Sequence, residues 1–199
     1  MKKKLSAKAI LIPTVSLFLI CLVVTALLAV TNNVTADKIA ANEEQSKQES
    51  MQNVCPGVAR FETVVEDVMY LGIDENGDPV GYAISTAAQG YGGQVKVMTG
   101  IDLEGTIIGV DVYYNDDETP GLGKNTSNES FRDQYKGLSV DEEIIVSKDS
   151  TSDDDQTVDA VTSATISSRA VTKAVNEACD LYMENALTEL FKDYEKEAK

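Results

Sequence analysis

Three short segments of this chain carry residue types and spacings that could do chemistry, and none of them contains an imidazole. Gly90, Tyr91, Gly92 and Gly93 set three glycines around one aromatic ring. Such a run lets a backbone pass close to a ligand or hold a positive φ. Glu118, Thr119, Pro120, Gly121, Leu122, Gly123 and Lys124 follow, a tight Pro-Gly turn with amides and a cation suited to an anion. This is not a P-loop, because that spacing and its following Ser or Thr are missing. Taken singly, the first segment reads as a flexible loop and the second as a surface turn. The third, DAVTSATISS over residues 159–168, crowds Thr162, Ser163, Thr165, Ser167 and Ser168 into the start of a helix. A plain cap needs one hydroxyl. Several small hydroxylic residues beside unpaired amides and the positive end of a helix dipole make an anion site.

Composition narrows what that chemistry can be. The 199 residues include no histidine, no tryptophan and three cysteines. A Ser-His-Asp triad, a Cys-His pair, a histidine-ligated haem and an imidazole zinc site are therefore excluded. Three thiols are too few for a four-thiolate zinc or iron–sulfur centre within one chain. With 33 acidic against 17 basic side chains the formal charge is −16, which disfavours nucleic acid as a partner. What remains is work by carboxylates, hydroxyls, backbone groups or a cofactor. Asp153, Asp154 and Asp155 read as a solvated loop, with a calcium site as the lesser reading.

The elements that must position these segments are legible in outline. Residues 64–73 and 80–86 are β-rich around the turn residues 74–79, and residues 95–101 and 106–114 form a second pair around residues 102–105. Asn128 is placed to cap a short helix carrying Phe131 and Tyr135. Ser167 or Ser168 is placed to cap a long C-terminal helix, on which Val171, Ala174, Val175, Ala178, Leu181 and Tyr182 recur at helical spacing. Strand pairs followed by terminal helices predict an α+β domain with antiparallel strands.

Ahead of that domain, Lys2, Lys3, Lys4 and Lys8 precede the uncharged run from residue 9 to residue 30. About 20 helical residues span a hydrocarbon core, so the run predicts a transmembrane helix, and the lysines predict a cytoplasmic N-terminus (residues 1–8) with an extracytoplasmic domain. A cleaved signal ending at Val34, Thr35 and Ala36 is the weaker reading, since signal apolar regions are shorter. Residues 31–57 are expected to be a stalk or linker, either a continuation of the helix or a disordered tether, and residues 58–199 one domain. Residues 1–36 carry four basic and no acidic side chains, whereas residues 37–199 carry 13 basic and 33 acidic ones, net −20. Cys55 and Cys179 would both lie outside the cytoplasm, where a disulfide is permitted; two free, partly buried thiols are the favoured reading.

In this order, GYGG (90–93), ETPGLG (118–123) and DAVTSATISSRAV (159–171) resemble the FMN-binding domain shared by two proteins. These are the G subunit of the Rnf complex and the C subunit of the sodium-pumping NADH:quinone oxidoreductase. The resemblance covers about residues 88–183, and the whole chain is most similar to the Rnf G subunit. It implies FMN attached as a phosphoester to Thr165, within a motif that begins at Asp159 and includes Thr162, Ser163 and Ala164. A separate transferase would supply FMN from FAD. Ser163 stands where the family most often has glycine. The resemblance also assigns Gly90, Tyr91, Gly92 and Gly93, and Glu118, Thr119, Pro120, Gly121, Leu122 and Gly123, to cofactor binding. Lys124 matches no motif position and is suggested only as a partner for the flavin phosphate or ring oxygens. The implied role is electron relay among partner membrane subunits of a complex coupling ferredoxin and NAD to Na+ or H+ translocation, with no catalysis by this component alone. Other readings are a component of the quinone reductase or of an extracellular electron-transfer chain, and a non-redox anchored binding domain.

Overall fold

The computed structural model describes residues 7–148 and 156–197, so the Asp153, Asp154 and Asp155 loop lies outside the described residues. The chain forms two compact units, Met1–Glu44 and Gln45–Lys199. The first unit holds most of α1 (Ala7–Val54). Leu11, Leu17, Phe18, Leu27 and Leu28 are all exposed, an apolar surface round the whole helix that only a non-aqueous surrounding would cover. Thr14 and Thr31 donate their hydroxyls to the carbonyls of Ile10 and Leu27, so neither hydroxyl is stranded there.

In the second unit, α1 ends as part of the domain. Met51, Val54 and Cys55 are buried at i, i+3 and i+4, one apolar turn too short to register as a periodic signal. The segment expected to be linker as far as residue 57 therefore gives way to the domain at Gln45. Ser50 donates to Asp111, which also accepts from Asn53 and Arg132.

Five antiparallel strands follow as a meander: β1 (Arg60–Val65), β2 (Met69–Ile73), β3 (Pro79–Gln89), β4 (Gln94–Asp102) and β5 (Ile107–Tyr114). The strand expected over residues 64–73 is instead two, broken by a turn at Glu66, Asp67 and Val68. Asp67 takes φ 61, a left-handed conformation that Asp tolerates better than most residues. On one sheet face Gly100 and Gly109 sit opposite each other in register, and Val54 lies against both. A β-carbon on Gly100 would come 2.2 Å from the Val54 carbonyl oxygen, so the close approach of α1 requires glycine.

The other face carries the main core. It is covered by α3 (Thr165–Glu197), whose Val171, Ala174, Val175, Ala178 and Tyr182 are buried against Ile84, Val95, Val97 and Ile101. Leu181 is half-buried against the same core. Thr86 donates to the Ala174 carbonyl at 2.8 Å, tying β3 to the helix. Cys55 belongs to the α1-side cluster and Cys179 to the α3-side cluster, so the sheet separates them and both are free thiols. Burial pushes each up to about 12.

Between β5 and α3 run a 3-10 turn (Gly123–Ser127), α2 (Glu129–Arg132), a second 3-10 turn (Asp133–Tyr135) and a parallel pair, β6 (Ile145–Ser147) with β7 (Thr157–Asp159). Asn128 occupies the N-cap position of α2, but its side chain makes no capping bond. The helix expected to hold both Phe131 and Tyr135 is thus one short turn carrying Phe131. Tyr135 follows in the 3-10 turn, its hydroxyl 2.7 Å from that of Thr172.

Candidate functional site

The three chemically suggestive segments converge on one side chain. Glu118 follows β5 after a turn closed by its own amide donating to the Asn115 carbonyl, and it is 2% exposed. Its Oε1 accepts from the amides of Tyr91 (2.7 Å) and Gly92 (3.3 Å). Its Oε2 accepts from the Ser167 hydroxyl at 2.7 Å. One carboxylate thereby joins the β3–β4 loop, the turn after β5 and the first turn of α3. Among the described residues no lysine or arginine forms an ion pair with it.

Two glycines of these segments press against this carboxylate. A β-carbon on Gly90 would lie 2.1 Å from Glu118 Oε1, and one on Gly123 would lie 2.0 Å from Oε2. Gly92 and Gly93 have no room because of Asp117. The Gly90 amide donates to the Gly93 carbonyl at 2.8 Å, closing the loop tightly enough to project Tyr91 outward, 70% exposed.

Over this junction opens a cavity of ≈ 530 Å³ lined by Tyr91, Glu118, Thr119, Leu122, Gly123, Ser163, Ala164, Thr165, Ile166 and Ser167. Its size falls in the usual range for a small-molecule site. Thr165 is the first residue of α3, so the helix starts before Ser167 and Ser168, the residues expected to cap it. Ser168 lies inside the first turn and caps no helix amide; its oxygen accepts from the Val161 amide at 3.0 Å and its hydroxyl donates to the Ala164 carbonyl. The first-turn amides, those of Thr165, Ile166 and Ser167 among them, have no intrahelical acceptor and provide donors for an anion.

The five crowded hydroxyls divide by what they touch. Ser167 and Ser168 are buried and bonded inward. Thr165 is half-buried in the cavity wall, and among the described residues none hydrogen-bonds its hydroxyl. Ser163 lines the same cavity with φ 63, the left-handed region where a β-carbon is costly.

Other expected residues stand apart. Gly121, Asp159 and Thr162 line a neighbouring cavity with Asn125, Asn128, Phe131 and Gln134. Pro120 is exposed in the turn. Lys124 turns outward to pair with Asp116 at 3.0 Å, and it does not line the Thr165 cavity.

Two contributors escape sequence reading. Ile166, 57% exposed, lines the cavity directly after Thr165, a position the motif itself could have flagged. Gln134 holds the backbone of Asp159, accepting from its amide at 2.8 Å and donating to its carbonyl at 3.4 Å. Nothing in local sequence pairs residues so far apart. Among the described residues, no cluster of Asp, Glu or Cys is arranged to hold a metal.

Comparison with known proteins gives the family and the fold. Residues 90–180 match the FMN-binding domain family, and residues 1–54 match the RnfG N-terminal region. The chain is 37% identical over 185 residues to the G subunit of the Na(+)-translocating ferredoxin:NAD(+) oxidoreductase complex of Acetobacterium woodii, covering 83% of this chain and 88% of that one. It is 27% identical to the G subunit of the proton-translocating ferredoxin:NAD(+) oxidoreductase complex of Clostridium ljungdahlii, covering 90% and 95%. In fold it is similar to the crystal structure of the C subunit of the Na(+)-translocating NADH-quinone reductase from Parabacteroides distasonis. That likeness has a TM-score of 0.59 at 18% identity, over 73% of this chain and 94% of that one.

Proposed function

Since this chain belongs to the family of G subunits of ion-translocating ferredoxin:NAD(+) oxidoreductase complexes, we propose that it is their membrane-anchored electron carrier and holds FMN as a phosphoester on Thr165. The observation that carries the attachment is Thr165 at the start of α3, half-buried in the cavity wall, with no hydrogen bond to its hydroxyl among the described residues.

The residues present fit the group. The amides of the first turn of α3 supply donors for a phosphodiester. Tyr91, Leu122 and Ile166, all exposed, supply an apolar rim for a ring system. The cavity wall contains no lysine or arginine, so charge on the phosphate is met by amides and hydroxyls. Bound FMN supplies reversible electron transfer through its isoalloxazine ring, and the protein supplies position and electrostatics. In a reaction run by a flavin transferase, the Thr165 oxygen would bond to the flavin-side phosphorus of FAD as the pyrophosphate P–O bond breaks, AMP leaving and the hydroxyl proton passing to solvent. Asp159 and the residues after it present that hydroxyl to the transferase.

The partners in this reading are the other membrane subunits of the complex, and the oxidoreductase activity belongs to the assembly. Residues 9–30 span the membrane with the N-terminus in the cytoplasm and the acidic domain outside. A covalent bond there prevents loss of the cofactor by dilution. Similarity to the quinone reductase component supports the shared fold, whereas 37% identity and the matched N-terminal region favour the ferredoxin:NAD(+) complexes.

The test is co-production of the full chain with a flavin transferase, followed by in-gel fluorescence after denaturation and intact-mass measurement. The wild type should fluoresce and gain the mass of one FMN, and Thr165→Ala should do neither while remaining folded. A wild-type band without flavin, or a Thr165→Ala band that retains it, refutes the attachment.

A further inference from the structure

We infer that the Glu118 carboxylate is an electrostatic regulator of the cofactor at Thr165, holding its reduction potential low. The inference rests on the attachment proposed above, and it assigns to Glu118 a role separate from binding.

Glu118 is almost fully buried, lies in the cavity wall, and forms no ion pair with lysine or arginine among the described residues. All three of its hydrogen bonds are accepted, from two amides and one hydroxyl. Those dipoles stabilise a negative charge without cancelling it. Away from water, a fixed charge acts on its neighbours with little screening. Glu118 carries the formal charge among the residues lining the cavity, and its negative field opposes the positive one from the start of α3. Reduction adds negative charge to any group in that cavity. A fixed carboxylate opposes it and makes the occupant a stronger reductant.

The geometry separates charge from scaffolding. Glutamine is close in shape, and its carbonyl oxygen can accept from the amides of Tyr91 and Gly92 as Oε1 does. Its amide can donate to Ser167, whose hydroxyl can turn to accept. Glu118→Gln thus keeps the junction and removes the charge. Ser167→Ala keeps the charge and removes one of the dipoles that spread it.

The experiment is spectroelectrochemical titration of the full-length chain in detergent, co-produced with a flavin transferase, for wild type and both variants. Flavin loading is measured separately by intact mass. Among the molecules that carry flavin, Glu118→Gln should shift to a more positive potential, and Ser167→Ala should shift the opposite way. A loaded Glu118→Gln protein with an unchanged or more negative potential overturns the inference. If Glu118→Gln does not load, Ser167→Ala decides: a negative shift supports the inference, and an unchanged or positive potential overturns it. If wild type loads and neither variant does, Glu118 is scaffolding alone and the inference fails. Absence of flavin from wild type refutes the attachment reading instead.

Discussion

Gly123 lies so close beneath Glu118 that a β-carbon on it would sit 2.0 Å from the carboxylate's Oε2. The same β-carbon would lie 2.7 Å from the Ser167 hydroxyl, so position 123 is closed to any side chain. Gly123→Ala, or Gly90→Ala on the opposite oxygen, must displace a buried carboxylate and break its bonds to the Tyr91 amide or Ser167. Overpacking of this kind costs about 1–3 kcal/mol. Each variant should therefore show a lowered midpoint in thermal or urea unfolding, and each should take up less flavin when co-produced with a transferase.

Ser163 holds φ 63 without the freedom of glycine. A left-handed conformation costs a residue with a β-carbon roughly 1–2 kcal/mol, and glycine loses roughly 0.5–1 kcal/mol in extra unfolded-state entropy. On that basis Ser163→Gly should stabilise the domain by about 0.5–1 kcal/mol and leave flavin loading intact, as read by unfolding and in-gel fluorescence. Ser163→Val, branched at the β-carbon, should do the reverse on both measures.

Gln134 clamps Asp159 through both backbone polar groups, fixing the strand from which the chain runs toward Thr165. Each such bond contributes roughly 0.5–1.5 kcal/mol. Gln134→Ala should cost about 1–2 kcal/mol on that basis, and it should slow covalent labelling several-fold in a time course with purified transferase and FAD. Gln134→Glu, which can accept from the Asp159 amide but not donate to its carbonyl, should fall between the two.

The buried thiols give the domain a pH dependence at the alkaline end. Burial raises Cys55 and Cys179 from 9.0 in the unfolded chain to about 12 in the folded one. The folded state then binds more protons than the unfolded state between those values. Their contribution is complete below pH 9 and is lost as pH rises toward 12. Thermal midpoints should decline across that window, less steeply in a Cys55→Ala, Cys179→Ala double variant. Iodoacetamide at about pH 8, below the usual thiol range, should leave both cysteines unmodified until the protein is unfolded.

Sequence reveals the parts of this site whose chemistry is local, and misses those created by long-range contacts. The hydroxyl-rich run before α3 is readable because small polar residues leading into a 3.6-residue apolar period have few other meanings. Strand pairs β2–β3 and β4–β5 are readable from β-rich runs around turns. The β1–β2 break is not, since Glu66 and Asp67 sit in a β-rich run with no Gly, Pro or Asn beside them to mark a turn, and the left-handed φ of Asp67 shows only in the structure. Sequence marks Glu118 as the start of a turn and, by resemblance, as a cofactor-binding position, and its role as the junction is not visible there. Its partners Tyr91 and Ser167 lie 27 and 49 positions away, a distance no periodicity bridges. For the same reason Lys124 looks like a ligand for an anion until its ion pair with Asp116 is seen.

The seating of Val54 against Gly100 and Gly109 also decides where the domain can be cut. A soluble fragment begun at residue 58, after the apparent turn, would lose Met51, Val54 and Cys55 and uncover Ala83 and Met98 on the sheet. Fully burying a side chain such as Val or Met is worth about 1.5–3 kcal/mol, so that cropping removes a sizeable share of a typical domain's margin. A fragment begun at Gln45 keeps those side chains and the Ser50 and Asn53 bonds to Asp111. The last turns of α1, from Gln45, therefore belong to the second unit, well before the sequence turns.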